Sequence, residues 1–224
     1  MKLQLQELNR RFRVRARDLV EPFLWADEDV EGWFNDAEQQ AAIRGRLLPE
    51  DAEPTVCSIS LQVGQASYAL HGSVFEIIVL RLLPAGGGRP REIELRSREW
   101  LDARVPGWRE CTEPARYAIQ NETSLRVVGG FGAGDTLALE CYRLPLRPMA
   151  QPTDAPEIHE AHHDHLVDWV LYRAFSIPDA DTFDPQRSTQ AELDFTKYFG
   201  KLPDSNLRRD TRHDQHQHNV VFWG

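Results

Sequence analysis

The chain has few cysteines and no long apolar segment among its 224 residues. The cysteines are three in number and lack metal-type spacing: Cys57, Cys111 and Cys141. Because arginines stand near the start, where a secretory leader needs an apolar stretch, we expect synthesis in a reducing, cytosolic compartment. The most apolar run, Val74 to Leu83, is too short for a membrane-spanning helix and contains Glu76 and Arg81. The sequence therefore predicts a protein that does not span a membrane.

A surplus of positive charge is also lacking, because 26 Lys and Arg residues stand against 35 Asp and Glu residues, for a net charge of -9. General binding to nucleic acid depends on a surplus of cations at the contact surface, so this balance argues against it. The charges are unevenly distributed. Residues 1–17 contain six basic side chains and one acid, whereas residues 18–53 contain eleven acids and two arginines. Such polarity is typical of subunits that stack against one another.

Apolar residues spaced three and four apart predict two helices at the start of the chain. Leu5, Leu8 and Phe12 give the first helix an apolar face, and it should end before Glu21-Pro22, because a residue preceding proline avoids the helical region. A second helix should begin near Asp27, whose carboxylate can accept hydrogen bonds from the free amides of the first turn. Its apolar stripe consists of Val30, Trp33, Phe34, Ala37, Ala41 and Leu48, before Pro49.

After Pro54 the apolar residues alternate with polar ones, which is the pattern of strands with one buried face. About six short strands are predicted, at residues 57–63, 75–83, 91–96, 116–119, 124–128 and 136–144. They fit a small antiparallel β-sandwich or barrel, which ends where four prolines interrupt residues 145–156.

Helical periodicity returns in the closing third of the chain. We expect one helix from Glu157 to Ile177 and another, capped within Asp181–Pro185, that runs to about Phe199 and stops at Gly200. From Leu202 the chain is polar until a short apolar tip, Val220, Val221, Phe222 and Trp223.

The sequence therefore predicts an α+β fold with a helical core of about four helices taken from both chain ends. The core domain should comprise residues 1–53 and 155–200, and the antiparallel β-sandwich or barrel should be an insertion at residues 54–147. An extended C-terminal tail should occupy residues 201–224.

One segment matches a metalloprotease motif. His159-Glu160-x-x-His163 has the H-E-x-x-H spacing that places two histidines on one zinc ion beside a glutamate base. The position of a third histidine is occupied by Trp169, although Glu192 could supply a third ligand. A zinc-dependent hydrolase is therefore the alternative function. The interpretation we favour is a solvated first helical turn with no catalytic residue, bound metal or cofactor.

Other motifs each lack a part of the site that they resemble. Gly129–Gly134 has no Lys-Ser/Thr after it and should be a hairpin turn. Ser58 and Ser60 lie outside any nucleophile elbow, and the cysteines fall within strand patterns without a suitably spaced histidine. Three histidines near the C-terminus could bind metal adventitiously: His213, His216 and His218.

The arginine-rich first helix offers a further possibility, because its basic face could contact phosphates. Contact with an acidic neighbour is the favoured interpretation, and a nucleic-acid-binding accessory factor is the other. Trp25, Trp33 and Trp169 lie at capping or core-facing helical positions, so we expect them in the core.

Several segments resemble the head-tail adaptor (connector) proteins of tailed bacteriophages. In the first part of the chain these are Leu24-Trp25-Ala26-Asp27-Glu28-Asp29-Val30, Trp33–Glu38 and Arg44–Leu48. In the last part they are Glu157–Glu160, His165–Ala174, Asp179–Pro185 and Phe195–Gly200. Trp108-Arg109, Gly134–Leu137 and Arg143–Pro145 are similar to the β domain of that family.

This resemblance implies a structural protein of the virion neck, assembled as a ring of twelve beneath the portal. The ring would join the capsid to the tail and leave a channel for double-stranded DNA. Its partners would be further copies of itself, the portal protein and a tail tube or nozzle protein. From the residues, we expect the tip Val220–Trp223 to bind the portal or a neighbouring subunit. Acids from Asp27–Glu38 or Glu157–Asp168 should lie near the channel.

Overall fold

The computed structural model describes residues 2–178 and 182–203, which divide into two compact units. The helical unit comprises the residues up to Pro49 together with Tyr142–Leu202, and the β-unit comprises Glu50–Cys141. Helices and sheets are both present, so the predicted α+β class is confirmed. Residues 204–224, which include most of the predicted tail and its apolar tip, lie outside the described residues.

The first two helices of the helical unit are α1 (Leu5–Ala16) and α2 (Asp27–Gly45). The predicted apolar face of α1 is confirmed, since Leu5, Leu8 and Phe12 are all buried. α2 begins at Asp27, but the predicted cap is wrong, because the N-cap residue is Ala26 and forms no side-chain bond. The Asp27 carboxylate instead accepts hydrogen bonds from Asn9 and from the buried guanidinium of Arg13, a charge that requires a carboxylate partner.

The second pair of helices differs from the prediction at its start. Residues Glu160–His165 form a 3₁₀ helix, and only then does α5 (Leu166–Ser176) begin. Bonds from side chains of the segment to nearby backbone groups compete here with the α-helical pattern. α6 (Pro185–Phe199) agrees with the prediction, and the Asp184 carboxylate caps it by accepting the N–H groups of residues 186 and 187.

The core of the helical unit contains residues from both ends of the chain. Trp25 and Trp169 are buried in it, as predicted, and Trp33 packs against it half-buried. The large side chains at its centre are Phe12, Val30, Phe34, Leu166, Val167, Val170 and Phe195.

The two ends of the chain are also joined by hydrogen bonds. Gln4 at the N-cap of α1 gives no side-chain bond, and the amides of Leu5 and Gln6 donate to the carbonyls of Asp154 (2.7 Å) and Pro152 (3.0 Å). The buried carboxylate of Glu38 accepts the N–H groups of residues 157 and 158 at 2.5 and 3.3 Å. These bonds satisfy buried backbone groups that would otherwise lack partners.

Within residues 2–178 and 182–203 the strands form two sheets. The strands are β1 (Pro49–Glu50), β2 (Ser58–Ser60), β3 (Ser67–Ala69), β4 (Val74–Leu83), β5 (Arg91–Glu92), β6 (Glu94–Leu95), β7 (Tyr117–Gln120), β8 (Ser124–Val128) and β9 (Thr136–Arg143). One sheet has the order β1-β9-β4-β5, with β2 also paired to β9, and the other has the order β3-β8-β7-β6. Leu48 lies just before the β-unit and Arg143 just after it. The N–H of Arg143 donates to the carbonyl of Leu48 at 2.9 Å, which joins the two ends of the insertion.

The prediction of a wholly antiparallel sandwich or barrel is wrong at residues 91–96. β5 pairs antiparallel with β4, whereas β6 pairs parallel with β7 in the other sheet. Between them, buried Ile93 donates its N–H to the carbonyl of Leu80 at 2.8 Å. The chain therefore changes sheet within one predicted strand, a change that hydrophobic alternation alone does not reveal.

Other differences are local. The predicted strand 57–63 is reduced to β2, because Pro54–Cys57 form the short helix α3, capped by Glu53. β3 and helix α4 (Arg98–Arg104) were not predicted, since each has a single buried residue and so no apolar period. The cap of α4 is nevertheless present in the sequence, because Ser97 accepts the N–H of Trp100.

We predict that Glu38→Gln will be at least as stable as the wild type at neutral pH. Burial raises the pKa of Glu38 above the ordinary value of 4.5, so the folded protein binds this proton more tightly than the unfolded chain. Wild-type stability should therefore fall as pH rises above 4.5. The glutamine side chain keeps an oxygen that can accept the N–H groups of residues 157 and 158, and it has no charge to bury. The unfolding free energy of the variant should therefore decrease less with rising pH than that of the wild type.

Urea unfolding at a series of pH values measures the effect. Glu38→Ala is the matched variant, because it leaves both amides without an acceptor and should cost about 1–3 kcal/mol or more. A loss in the glutamine variant as large as in the alanine variant would show instead that the charge itself stabilises the fold.

Candidate assembly surfaces

The H-E-x-x-H segment does not form the zinc site that the alternative function requires. His163 is fully buried, its Nδ1 accepts the N–H of Leu3 at 3.2 Å, and its Nε2 donates to the carbonyl of Ile158 at 3.0 Å. His159 caps the 3₁₀ helix by accepting the N–H of Ala161. Because both ring nitrogens of His163 are occupied, the pair His159 and His163 is not available to bind one ion. Nowhere in residues 2–178 and 182–203 do three or more His, Cys, Asp or Glu side chains group as metal ligands.

The neighbouring histidines join the start of α5 to the end of α6. The ring of His165 stacks on that of Tyr198, with centroids 3.5 Å apart, and His162 Nδ1 lies 3.1 Å from the Tyr198 hydroxyl. Burial, together with the adjacent histidines, lowers the pKa of His162. The histidine-rich segment is therefore part of the packing of the helical unit.

The arginines of α1 are mostly paired within the helical unit. Arg10 and Arg11 both bond Glu7, and these bonds lower the pKa of Glu7 to about 2. Arg11 also bonds Asp164 at 2.7 Å, and Arg15 bonds Asp164 and Asp168 at 3.1 and 2.8 Å. Most arginines of α1 are thus paired with acids of the same chain, which leaves few unpaired cations for the phosphate contacts of the accessory-factor hypothesis.

Arg13 holds the segment between α1 and α2. Its guanidinium is buried and bonds the Asp18 carboxylate, the Asp27 carboxylate and the Trp25 carbonyl. The Asp18 carboxylate in turn accepts the N–H of Leu24 at 3.0 Å. The loop from Asp18 to Trp25 is therefore fixed by a buried charged network, although its sequence has no helical or strand period.

Few of the acids expected near a channel remain unpaired. Glu38 is buried, so its assignment to such a surface is wrong. Others bond arginine side chains of the helical unit: Asp27, Asp36, Glu157, Asp164 and Asp168. Within the described part of the chain, Glu28, Asp29 and Glu31 have no ion-pair partner and are the acids of α2 that remain for outside contacts.

The remaining motifs occupy ordinary structural positions. Ser58 and Ser60 are exposed on β2. Of the cysteines, Cys141 lies in a strand, but Cys57 ends α3 and Cys111 follows a 3₁₀ turn, so the prediction of strand positions is wrong for these two. Cys57 is helical, whereas Cys111 has an extended backbone but pairs with no strand that the structure describes.

The glycine-rich segment is not the predicted hairpin turn, because β8 and β9 belong to different sheets. Gly129 has a φ of 108°, and a Cβ atom there would lie 2.6 Å from the carbonyl oxygen of Glu113. The amide of Gly132 donates to the Asp135 carboxylate at 2.8 Å. The glycines at 129 and 130 therefore permit a close approach to the backbone of residues 112–115, and this packing explains them without a phosphate ligand.

Exposed apolar side chains concentrate at one end of the helical unit, where α1 and α5 end and α2 and α6 begin. The rings of Trp25 and Phe175 meet edge to face at 5.4 Å, and Arg187 covers Phe175 and donates to the carbonyl of Arg15 at 2.9 Å. We call the exposed residues the apolar end surface: Val14, Leu19, Val20, Phe23, Leu24, Ile177 and Phe183. An open cavity of about 430 Å³ between α1 and α2 adjoins it and shares Leu19 and Phe23.

Sequence reasoning missed this surface because its residues lie mostly in the connections between helices. The residues predicted to bind a partner, Val220, Val221, Phe222 and Trp223, lie outside the described residues, as do the tail histidines His213, His216 and His218. Among the helices that the structure describes, none combines the length and the apolar character needed to cross a bilayer.

We predict that acid will destabilise the protein through His163. Burial lowers the pKa of this imidazole below its ordinary value of 6.5. The unfolded chain therefore binds a proton before the folded protein does, and stability should be lost as pH falls from 6.5 towards the lower folded-state pKa. In His163→Gln the unfolding free energy at neutral pH should drop by about 1–3 kcal/mol, and the acid dependence should weaken.

Urea unfolding above and below pH 6.5 tests this prediction. His159→Gln is the control, because that side chain is exposed and should leave the acid dependence in place. An unchanged pH dependence in His163→Gln would contradict the assignment.

The family model for the SU10 adaptor protein matches residues 3–219. No curated protein matches the chain. The matched range takes in both segments of the helical unit and the whole β-unit, so the resemblance to phage head-tail adaptors is confirmed. Because the match covers nearly the entire sequence, the chain belongs to the SU10 adaptor protein family and is a structural adaptor protein of a bacteriophage virion.

Proposed function

We propose that this protein forms a ring of twelve copies between the portal protein and a tail tube or nozzle protein. In this proposal the ring joins the capsid to the tail at the virion neck, after synthesis of the subunits in the host cytoplasm, and has no role at a membrane. The observation that carries the proposal is the family match over residues 3–219.

The architecture supports lateral packing by the helical unit. Its helices come from both chain ends and share one buried core, so the unit can contact neighbouring copies as a rigid body. A ring requires two different faces of each subunit to meet, and exposed apolar side chains at one end of the unit supply one such face. The β-unit is then the part of the subunit that we assign to contacts with the tail protein.

The charge of the protein supports passage of double-stranded DNA without sequence-specific binding. The net charge is -9, and the α1 arginines Arg10, Arg11, Arg13 and Arg15 are bonded to carboxylates of their own chain. A channel wall with this balance repels phosphates, so it gives a moving polyanion few places to bind.

The tip Val220–Trp223 is our proposed anchor to the portal. Four apolar residues, two of them aromatic, follow a polar segment, and aromatic side chains that enter a pocket supply much of the energy of an interface. A tail of this kind reaches a partner without changing the packing of the helical unit.

We predict that deletion of residues 220–224 will weaken binding to the purified portal by at least about tenfold. The deletion removes only the aromatic anchor, so the circular dichroism spectrum and urea midpoint should match those of the full chain. Native mass spectrometry of the adaptor mixed with the portal measures both binding and the number of copies, for which we expect twelve.

The control replaces His213, His216 and His218 by serine, which alters the same tail but keeps the tip. This variant should bind the portal like the wild type. Equal binding by the deletion variant would refute the anchor, and the absence of any complex between wild-type adaptor and portal would refute the proposed function.

A further inference from the structure

Three loops of the β-unit meet at Asp135. Its carboxylate accepts the N–H groups of Ala85 and Gly132 at 3.0 and 2.8 Å, and its backbone carbonyl accepts the N–H of Leu61 at 2.9 Å. Because this carboxylate is buried, it needs such donors, and the bonds hold the three loops together. We call the joined segments the loop end of the β-unit: residues 61–66, 84–91 and 129–135.

The loop end exposes positive charge and no negative charge. Its three segments contain Arg89, Arg91 and the buried Asp135, and no other charged residue. Both arginines are exposed, and neither forms an ion pair with any residue that the structure describes. The carboxylate nearest along the chain, that of Glu92, belongs to a residue paired with Arg81 in the register of β5 and β4. The loop end is therefore a cationic surface on a protein whose net charge is -9.

The segment that carries the two arginines is restrained on both sides. The N–H of Gly87 donates to the carbonyl of Pro84 at 3.2 Å, and Arg91 pairs with a residue of β4. Pro90 between the arginines keeps Arg89 out of the helical region. Alternate residues of an extended chain are about 6.6 Å apart and carry their side chains on the same side, which favours joint contact with one partner. Restrained cations also lose little conformational entropy on binding.

Double-stranded DNA is the partner that this surface fits in the proposed ring. Guanidinium groups bind phosphate oxygens through paired hydrogen bonds, and phosphates follow one another at a regular spacing along the duplex. A contact made of charges therefore suits a polymer that moves, because each phosphate replaces the previous one. The arginines of α1 offer no such contact, since they are bonded to carboxylates of their own chain.

We infer that the loop end of the β-unit contacts the phosphate backbone of double-stranded DNA through Arg89 and Arg91. The contact is independent of base sequence, because phosphate contacts position a protein on DNA and base contacts specify the site. The inference rests on the proposed function for its setting, in which every copy in the ring offers one loop end to the same duplex. Copies that act together convert a weak contact of one subunit into a stronger contact of the ring.

The first experiment locates the contact on the full chain. Amide NMR spectra, recorded at low ionic strength during titration with a short duplex, should shift mainly in residues 61–66, 84–91 and 129–135. Duplexes rich in A·T and in G·C pairs should bind equally within about twofold. Poly-L-glutamate is the comparison and should bind more weakly, because an extended polypeptide carries a charge every ~3.4 Å and duplex DNA one every ~1.7 Å.

The second experiment tests the two arginines by the same titration. For the wild type, the slope of log affinity against log salt should be about -2, since each neutralised phosphate contributes ~0.9 to it. Arg89→Ser combined with Arg91→Ser should weaken duplex binding by at least about tenfold at low salt.

Arg104→Ser combined with Arg116→Ser is the matched control. It removes the same charge from exposed positions of the β-unit, where the two arginines lie over the rings of Trp100 and Tyr117. This variant should keep the wild-type affinity within about twofold and the wild-type slope. Amide spectra that are unchanged away from the substitutions show that each variant folds.

Three results would overturn the inference. These are a loop end whose amides do not shift with the duplex, equal losses of affinity in the two double variants, and poly-L-glutamate that binds as tightly as DNA. The last result would assign the loop end to an acidic protein surface. None of these measurements involves the portal, so failure of the adaptor to bind the portal refutes the proposed function and leaves the DNA contact standing.

Discussion

The backbone amides at the start of α1 have their acceptors at the far end of the sequence. Leu5 and Gln6 donate to carbonyls of residues 154 and 152, and Leu3 donates to the ring of His163, 160 positions away. α1 has no side-chain cap of its own, so these groups are satisfied only when the returning chain is in place. α2 also depends on the returning chain, because the buried carboxylate of its Glu38 is stabilised by the N–H groups of residues 157 and 158. The helical unit is therefore a product of both chain ends.

The same constraint explains the charge pattern. The sequence has a basic start and an acidic continuation, which on its own is consistent with stacking between subunits. In the structure most of that complementarity is satisfied within one copy, since α1 lies against Asp164 and Asp168 and buries Arg13 between Asp18 and Asp27. What remains for neighbouring molecules is a small set of exposed charges beside an apolar surface. Charge asymmetry in a sequence thus identifies acids and bases that need partners, without saying which molecule provides them.

Strong apolar periods made much of the fold predictable. α1, α2 and α6 were found from spacing alone, because their buried residues recur at helical intervals over several turns. The change of sheet at Ile93 and the cap-free start of α2 were missed, since each depends on partners in other elements. The 3₁₀ helix before α5 was missed because local bonds between side chains and backbone groups compete there with the α-helical pattern. The same holds for the candidate sites: a histidine motif does not reveal that His163 is buried, and the apolar end surface lies outside any periodic segment. The role of Val220–Trp223 stays a prediction.

The hydrogen bond between Arg143 and Leu48 places the two ends of the inserted segment side by side. A polypeptide that leaves a framework and re-enters it at neighbouring positions can be shortened, enlarged or exchanged without altering the distance that the framework must bridge. In this protein the framework is the part that would touch sister molecules, and the insertion is the part assigned to another component. In the proposed assembly, evolution could therefore adapt a virus to a new tail by replacing one continuous stretch of coding sequence while the contacts between sister molecules stay unchanged.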